Sequence, residues 1–199
     1  MREAPIMDKT RVKNLNFEIL SDNWYTLNKV TFDYLNTKNE WENQSREAYD
    51  RGNGATILLY NREKSTVILT EQFRMPTYIN GNQTGMLIEA CAGLLDEESP
   101  ETCIKRETEE ETGFEITNVQ RIFEVYMSPG SVTEIVFFFI AEYNNSMKVS
   151  EGGGATEEQE DIKVIELNFN KALEMVENGK IKDAKTIMLL YHIKVKSIL

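Results

Sequence analysis

One stretch constrains this chain more than any other. It reads Gly93-Leu94-Leu95-Asp96-Glu97-Glu98-Ser99-Pro100-Glu101-Thr102-Cys103-Ile104-Lys105-Arg106-Glu107-Thr108-Glu109-Glu110-Glu111-Thr112-Gly113-Phe114. Residues 86–92 ahead of it have a strand pattern that runs into Gly93 and an acidic loop. Ser99 followed by Pro100 has the chemistry of a helix N-cap and first-turn proline, and Gly113 that of a left-handed stop. The segment between is therefore predicted to be a helix. On it Glu107 lies three residues from Glu110 and four from Glu111, so the three share a face, while Ile104 and Thr108 point to a neighbouring inward face. Like charges at that spacing cost a bare helix ~0.2–0.5 kcal/mol per pair. A bound cation would remove the penalty. Clustered carboxylate oxygens suit Mg²⁺, a hard ion that keeps waters and binds substrate phosphates. Arg106, four residues before Glu110, can fix one carboxylate's orientation.

Composition narrows the chemistry further. The chain has 199 residues, with 22 Lys+Arg against 33 Asp+Glu, a formal net charge of −11. That balance argues against a nucleic acid or anionic membrane held by bulk charge. Hydrophobic residues at 41% and charged residues at 28% make an ordinary globular mix with enough apolar surface for a core. The longest apolar run, residues 135–141, is far too short to span a bilayer. Residues 1–5 lack the apolar stretch of a secretory signal, so a cytoplasmic location is expected. With two cysteines, Cys91 and Cys103, and one histidine, His192, zinc sites and Ser-His-Asp or Cys-His systems lack their usual parts. Chemistry here must run on carboxylates, with a hard divalent cation.

The remainder reads as a mixed sheet flanked by helices with an N-terminal β extension, an α+β architecture. Residues 24–35 are rich in aromatic and β-branched side chains and predict a long strand; residues 36–43 predict a turn and residues 46–51 a second strand. Gly52-Asn53-Gly54 is a strong break. Residues 55–60 and 65–70 predict a hairpin. Strands are expected at 119–127, 134–143 and 162–167, helices at 170–177 and 183–196, and a mobile acidic loop at 150–159. Trp24 and Trp41 read as core or dimer-interface anchors, by themselves as core, Phe137-Phe138-Phe139 as a buried strand, and His192 as a packed or surface residue. Cys91 and Cys103 read as small unreactive hydrophobes packed near the site.

A charge run taken alone is ordinarily a solvated face. The ordered string Arg106-Glu107-x-x-Glu110-Glu111-x-Gly113-Phe114, after a strand and a glycine loop, resembles the Nudix box of the Nudix hydrolases. The family pattern sets a Gly, five residues, a Glu, seven residues, then Arg-Glu. Here the span from Gly93 to Arg106 is one residue short and Ser99 is the sixth residue after Gly93, which leaves Glu98 at the required distance to anchor Arg106. Further segments are similar to the bacterial GDP-mannose pyrophosphatase branch: Ser21-Asp22-Asn23-Trp24, residues 46–55, Gln72-Phe73-Arg74, Asn80-Gly81-Asn82, residues 87–96, residues 126–134, Gly152-Gly153-Gly154, Glu160-Asp161-Ile162 and Asp183-Ala184-Lys185-Thr186.

The resemblance implies an α/β/α-sandwich Nudix domain over residues 51–199, with residues 1–50 as a dimerising β extension. It implies a Mg²⁺-dependent (or Mn²⁺-dependent) hydrolase that cleaves GDP-mannose to GMP and mannose 1-phosphate. ADP-ribose or another ADP-sugar is the alternative, since Glu89-x-x-Ala92-Gly93 and Gln72-Phe73-Arg74 look similar in that neighbouring branch. A binding module without turnover is a third reading, motivated by Ser99 alone. The metal ligands implied are the backbone carbonyl of Ala92 and the carboxylates of Glu107, Glu111 and Glu160. Glu160 is implied as the catalytic base, ahead of Asp161 and Glu158, with Glu107 and Glu111 also catalytic. Substrate-binding positions implied are Arg74, Ala92, Glu134 and Lys185, with Trp24, Ser45, Arg46 and Glu47 contributed by the second subunit of a homodimer. Trp24 stands where a tyrosine is usual, which keeps stacking on a base but not a phenolic hydrogen bond.

Overall fold

The computed structural model describes residues 11–154 and 160–199. The expectations that concern residues 1–5 and the loop carboxylates Glu157 and Glu158 lie outside these. The chain divides into two compact units, one of residues up to Gly52 together with Tyr126–Glu134, the other of Asn53–Val125 and Ile135–Leu199.

In the smaller unit, β1 (Val12–Asp22), β2 (Thr26–Leu35) and β3 (Trp41–Asp50) form an antiparallel meander. The turn before β3 is shorter than the sequence suggested. Asn36 closes it within a few residues, its side-chain oxygen accepting the backbone N–H groups of Lys38 and Glu40, so pairing resumes at Trp41 opposite Leu35. The segment Tyr126–Glu134, expected with the larger domain, belongs here because Tyr49 N–H donates to Ser131 O at 2.8 Å and Thr133 N–H to Tyr49 O at 3.1 Å. Trp24 and Trp41 are not core: Trp24 is 85% exposed and Trp41 carries the Lys13 ammonium 3.7 Å above its ring. A three-stranded sheet has too little depth to enclose them.

The larger unit is built on a seven-stranded mixed sheet. Its centre is β4 (Gly54–Asn61), buried along its whole length, antiparallel to β5 (Thr66–Phe73) and parallel to β9 (Ile135–Glu142). A strand buried on both faces requires cover on both. On one side Ala55, Ile57 and Leu59 join Cys103 and Ile104 of α2 (Pro100–Thr112) in the core. On the other, α4 (Ala184–Val195) packs on β4 and β9, burying Leu189, Leu190 and Ile193, and α3 (Phe169–Glu177) packs on α4 and on β10 (Lys163–Asn168). β8 (Gln120–Tyr126) and β10 are the two edges of the main path. This is the expected sandwich. His192 is a packing residue, its ring edge-on to Phe123 at 5.2 Å. The short α1 (Met75–Ile79), which follows Arg74, was not legible in advance.

The single strand expected at 86–92 is two. β6 (Met86–Glu89) pairs with β5 and β7 (Cys91–Leu94) pairs with β4, so the chain changes partner at Ala90. The Ala90 N–H bonds instead to Thr186 Oγ1 at 2.6 Å, and that hydroxyl donates to Asp183 Oδ2 at 2.7 Å. Asp183 is the N-cap of α4 and also accepts Thr186 N–H. The cap of one helix thus satisfies the backbone donor that the strand switch leaves buried.

Thr186→Val keeps the side chain's shape but strands the Ala90 N–H. It is expected to lower stability by about 1–3 kcal/mol, the cost of an unsatisfied buried donor, read as a lower denaturant midpoint at unchanged slope.

Candidate metal and phosphate site

The helix α2 forms as its caps foretell: Ser99 Oγ accepts Thr102 N–H at 3.2 Å, Pro100 fills the first turn, and Gly113 ends it at φ 78°. Ile104 and Thr108 are fully buried. Of the three box glutamates only two turn inward. Glu111 is 2% exposed and the Glu107 side chain 15%, whereas Glu110 lies on the surface. Arg106 grips three carboxylates: Nε donates to Glu98 at 3.1 Å, Nη1 to Glu110 at 2.9 Å, and Nη2 lies 3.0 Å from Glu107. Glu98 and Ser99 therefore divide the work in the shortened loop, one anchoring the arginine and the other capping the helix.

Two glycines let backbone come close to these carboxylates. A Cβ on Gly93 would collide with the carboxylate of Glu107, and a Cβ on Gly154 with the side chain of Glu160. Of the loop expected at 150–159, residues 155–159 lie outside the described residues, and the triple glycine forms a turn bonded to α2. Gly152, Gly153 and Gly154 all adopt positive φ, and the N–H groups of Gly153 and Gly154 donate to the carbonyls of Glu111 and Glu110 at 2.9 and 3.1 Å. This turn satisfies carbonyls at the end of α2, which a helix end leaves unpaired, and its Gly154 lies against the Glu160 side chain.

The electrostatics record the crowding. Burial, with Glu107 and Glu160 nearby, pushes Glu111 up to about 8, against the pull of a hydrogen bond from the Cys91 thiol and the charge of Arg74. Burial raises Glu107 to about 6, opposed by Arg106 and assisted by Glu110 and Glu160. Among the described residues, Glu111 Oε2 is buried without a hydrogen-bond partner. An orphaned carboxylate oxygen beside two further carboxylates, under a glycine cradle, fits a hard divalent cation in its donor chemistry. Among the described residues no three His, Cys, Asp or Glu side chains enclose a metal position by themselves. A cation held by few side chains draws its other donors from backbone, water and phosphate. Both cysteines are free and buried, and burial holds both thiols neutral, Cys103 at about 12 and Cys91 well above its usual range. The contact of Cys91 with Glu111 was not foreseen; no sequence spacing announces it.

Beside the carboxylates lies a charged quartet. Arg74 Nε donates to Glu89 Oε2 at 2.6 Å, and Lys185 Nζ donates to Glu89 Oε1 at 3.3 Å and Asp183 Oδ1 at 2.7 Å. Arg74, Ala92, Glu107, Glu111, Glu160 and Lys185 all belong to the larger unit; Trp24, Ser45, Arg46, Glu47 and Glu134 belong to the smaller. In the smaller unit Glu134 faces Arg51 at 3.6 Å, and the Arg51 guanidinium lies 5.5 Å from the Tyr25 ring. Ser45, Arg46 and Glu47 lie along β3, where Arg46 folds back onto Ser45 O at 2.7 Å and Gln44 at 3.1 Å.

Comparison with known proteins adds a second line of observation. Residues 50–189 match the NUDIX domain model, and residues 11–49 match the GDP-mannose pyrophosphatase NudK N-terminal domain. The chain is 57% identical over 185 residues to a GDP-mannose pyrophosphatase of Yersinia pestis (strain Pestoides F), covering 93% of this chain and 92% of that one. A GDP-mannose pyrophosphatase of Pectobacterium atrosepticum is 58% identical over 175 residues, 88% and 90% of the two chains. Among solved structures, that of an ADP compounds hydrolase matches with a TM-score of 0.70 at 16% identity, over 95% of each chain. At that identity the likeness concerns the fold.

Gly93→Ala should displace Glu107, with an overpacking cost of about 1–3 kcal/mol and divalent-cation affinity lowered at least about tenfold. Gly130→Ala, whose Cβ would meet nothing within 4 Å, should leave both unchanged. Chemical denaturation and calorimetric metal titration check the pair.

Proposed function

The chain belongs to the Nudix hydrolase family, and on that premise we propose that it is a Mg²⁺-dependent pyrophosphatase that hydrolyses GDP-mannose to GMP and mannose 1-phosphate. The observation that carries the reading is the orphaned, deeply buried Glu111 oxygen beside Glu107 on the box helix. The identity of 54–58% to GDP-mannose pyrophosphatases over most of the chain supports the substrate.

In this reading Glu107, Glu111, Glu160 and the Ala92 carbonyl hold the ion. When bound it supplies neutralisation of the diphosphate, polarisation of phosphorus and a lowered pKa for water. Glu160 takes a proton from the attacking water. The water oxygen bonds to phosphorus as the P–O–P bridge breaks, and the departing phosphate keeps the bridging oxygen and its electron pair. Arg74 and Lys185 bind phosphate oxygens, Arg74 with the planar fork that suits them. Arg106 keeps Glu107 and Glu110 apart and oriented. Cys91 donates to Glu111, which favours its charged form.

Trp24, Ser45, Arg46, Glu47 and Glu134 complete substrate recognition, with the N-terminal strands serving the partner's site in a homodimer. Support for the dimer comes from the smaller unit's sheet, where Phe17 and Ile19 are 62% and 61% exposed and Leu15, Trp24 and Trp41 are also solvent-facing. Apolar residues grouped like this mark an interaction surface. No described helix is long and apolar enough to cross a membrane.

With Mg²⁺, GDP-mannose should yield equimolar GMP and mannose 1-phosphate. Glu107→Gln and Glu111→Gln should each lower kcat/KM by about 10²-fold or more, and EDTA should abolish turnover reversibly. Product analysis across GDP-mannose, ADP-ribose and ADP-mannose checks the substrate. Preference for an ADP compound would overturn the nucleotide assignment. Sedimentation should give a dimer that Phe17→Glu with Ile19→Glu converts to monomer.

A further inference from the structure

The charged quartet poses a question that phosphate binding alone does not answer. Arg74 and Lys185 come from distant parts of the chain, the end of β5 and the first turn of α4, and each needs a defined direction to meet one diphosphate. Flexible cationic side chains do not supply that direction unaided. Glu89 stands between them. It is 4% exposed, at the end of β6, and each of its oxygens takes one cation. Its backbone is fixed where the strand changes partner, next to the Ala90 N–H that Thr186 holds.

The donors that remain point to a purpose. Arg74 spends only Nε on Glu89, and its terminal amino groups make no hydrogen bond among the described residues. Its side chain is 40% exposed against 5% for that of Glu89, so the guanidinium is anchored at its buried edge and open at the other. Lys185 spends two of three N–H donors, on Glu89 and Asp183, and is 20% exposed. Two carboxylates balance two cations, so the quartet is neutral and its spare donors are directed rather than withdrawn. Stability alone gives no need for this arrangement, because well-packed apolar residues often serve a buried site equally well.

We propose that Glu89 is a positioning residue for the substrate's diphosphate: its two oxygens hold Arg74 and Lys185 so that their remaining donors serve one phosphate-binding position. The inference rests on the reading of Arg74 and Lys185 as substrate-binding given above.

Glu89→Gln tests it sharply. The amide keeps the shape but accepts at one end only, and its NH₂ faces the other cation. KM for GDP-mannose should rise about tenfold or more with kcat within about threefold, the signature of lost binding rather than lost chemistry. Mg²⁺ affinity should not change. Combining it with Arg74→Gln should raise KM by less than the sum of the two single effects, since the Arg74 share of the loss is already taken and only that of Lys185 remains. An unchanged KM with a lowered Tm, or losses that add in the double variant, overturns the proposal. If Glu89→Gln does not fold, Glu89→Asp carries the same test: it retains the charge one methylene short, and should raise KM at near-native Tm. Calorimetry with inorganic pyrophosphate reads the inference apart from the substrate. If GDP-mannose is not hydrolysed the functional reading fails, yet a pyrophosphate Kd raised about tenfold in the variant still supports Glu89. Failure of the wild type to bind pyrophosphate, or an unchanged Kd in the variant, overturns it.

Discussion

The site depends on how closely backbone approaches one face of a single helix. α2 lies against β7 with Gly93 beneath the carboxylate of Glu107, and the turn at 152–154 lies against its last carbonyls with Gly154 beside Glu160. Side chains at those glycines would force the elements apart. Their absence lets Glu107, Glu111 and Glu160 come near enough to feel one another's charge, with Glu111 buried. The penalty is plain in the raised proton affinities of Glu107 and Glu111 and in the unpartnered Glu111 oxygen. The oxygen left over beside the Cys91 hydrogen bond has the donor chemistry that a hard cation takes.

Opposite charges are deployed at the margins of that volume. Arg106 restrains Glu98, Glu107 and Glu110 from the solvent side, while Glu89 restrains Arg74 and Lys185 from below. Each is a single group holding several of the other sign. Such sharing gives orientation, because a planar guanidinium or carboxylate fixes its partners' directions as well as their positions. In a chain with a net charge of −11, an anionic substrate would otherwise meet repulsion. In the proposed reading, the cations kept near the acidic face, together with a divalent ion, would offset that repulsion.

Backbone accounting ties these margins to the fold. The chain leaves β5 for β4 at Ala90, and the donor freed there is taken by Thr186 and Asp183 at the head of α4. The same helix start presents Lys185 to Glu89. One local device thus closes the sheet, caps a helix and places a cation.

The chain's sequence by itself determined the features that rest on local chemistry. α2 was legible at both ends because Ser99, Pro100 and Gly113 act on their own neighbours, and the 54–61/66–73 hairpin because alternation and a polar turn need nothing distant. That the box glutamates share a helix face was legible from their spacing; reading that face as a metal site took the resemblance of the whole ordered string. Only the tertiary structure decided which of them turn inward, since burial of Glu111 and exposure of Glu110 depend on what packs against α2. It split residues 86–92 into two strands, because pairing partners are set by long-range sheet order. It placed Trp24 and Trp41 in solvent, because a thin sheet offers no core. It bonded the triple glycine to the end of α2, a contact that could not be read locally because those carbonyls lie some forty residues earlier. The contacts of Glu89 and Cys91 were not legible for the same reason: their partners come from elements that meet only once the chain has folded.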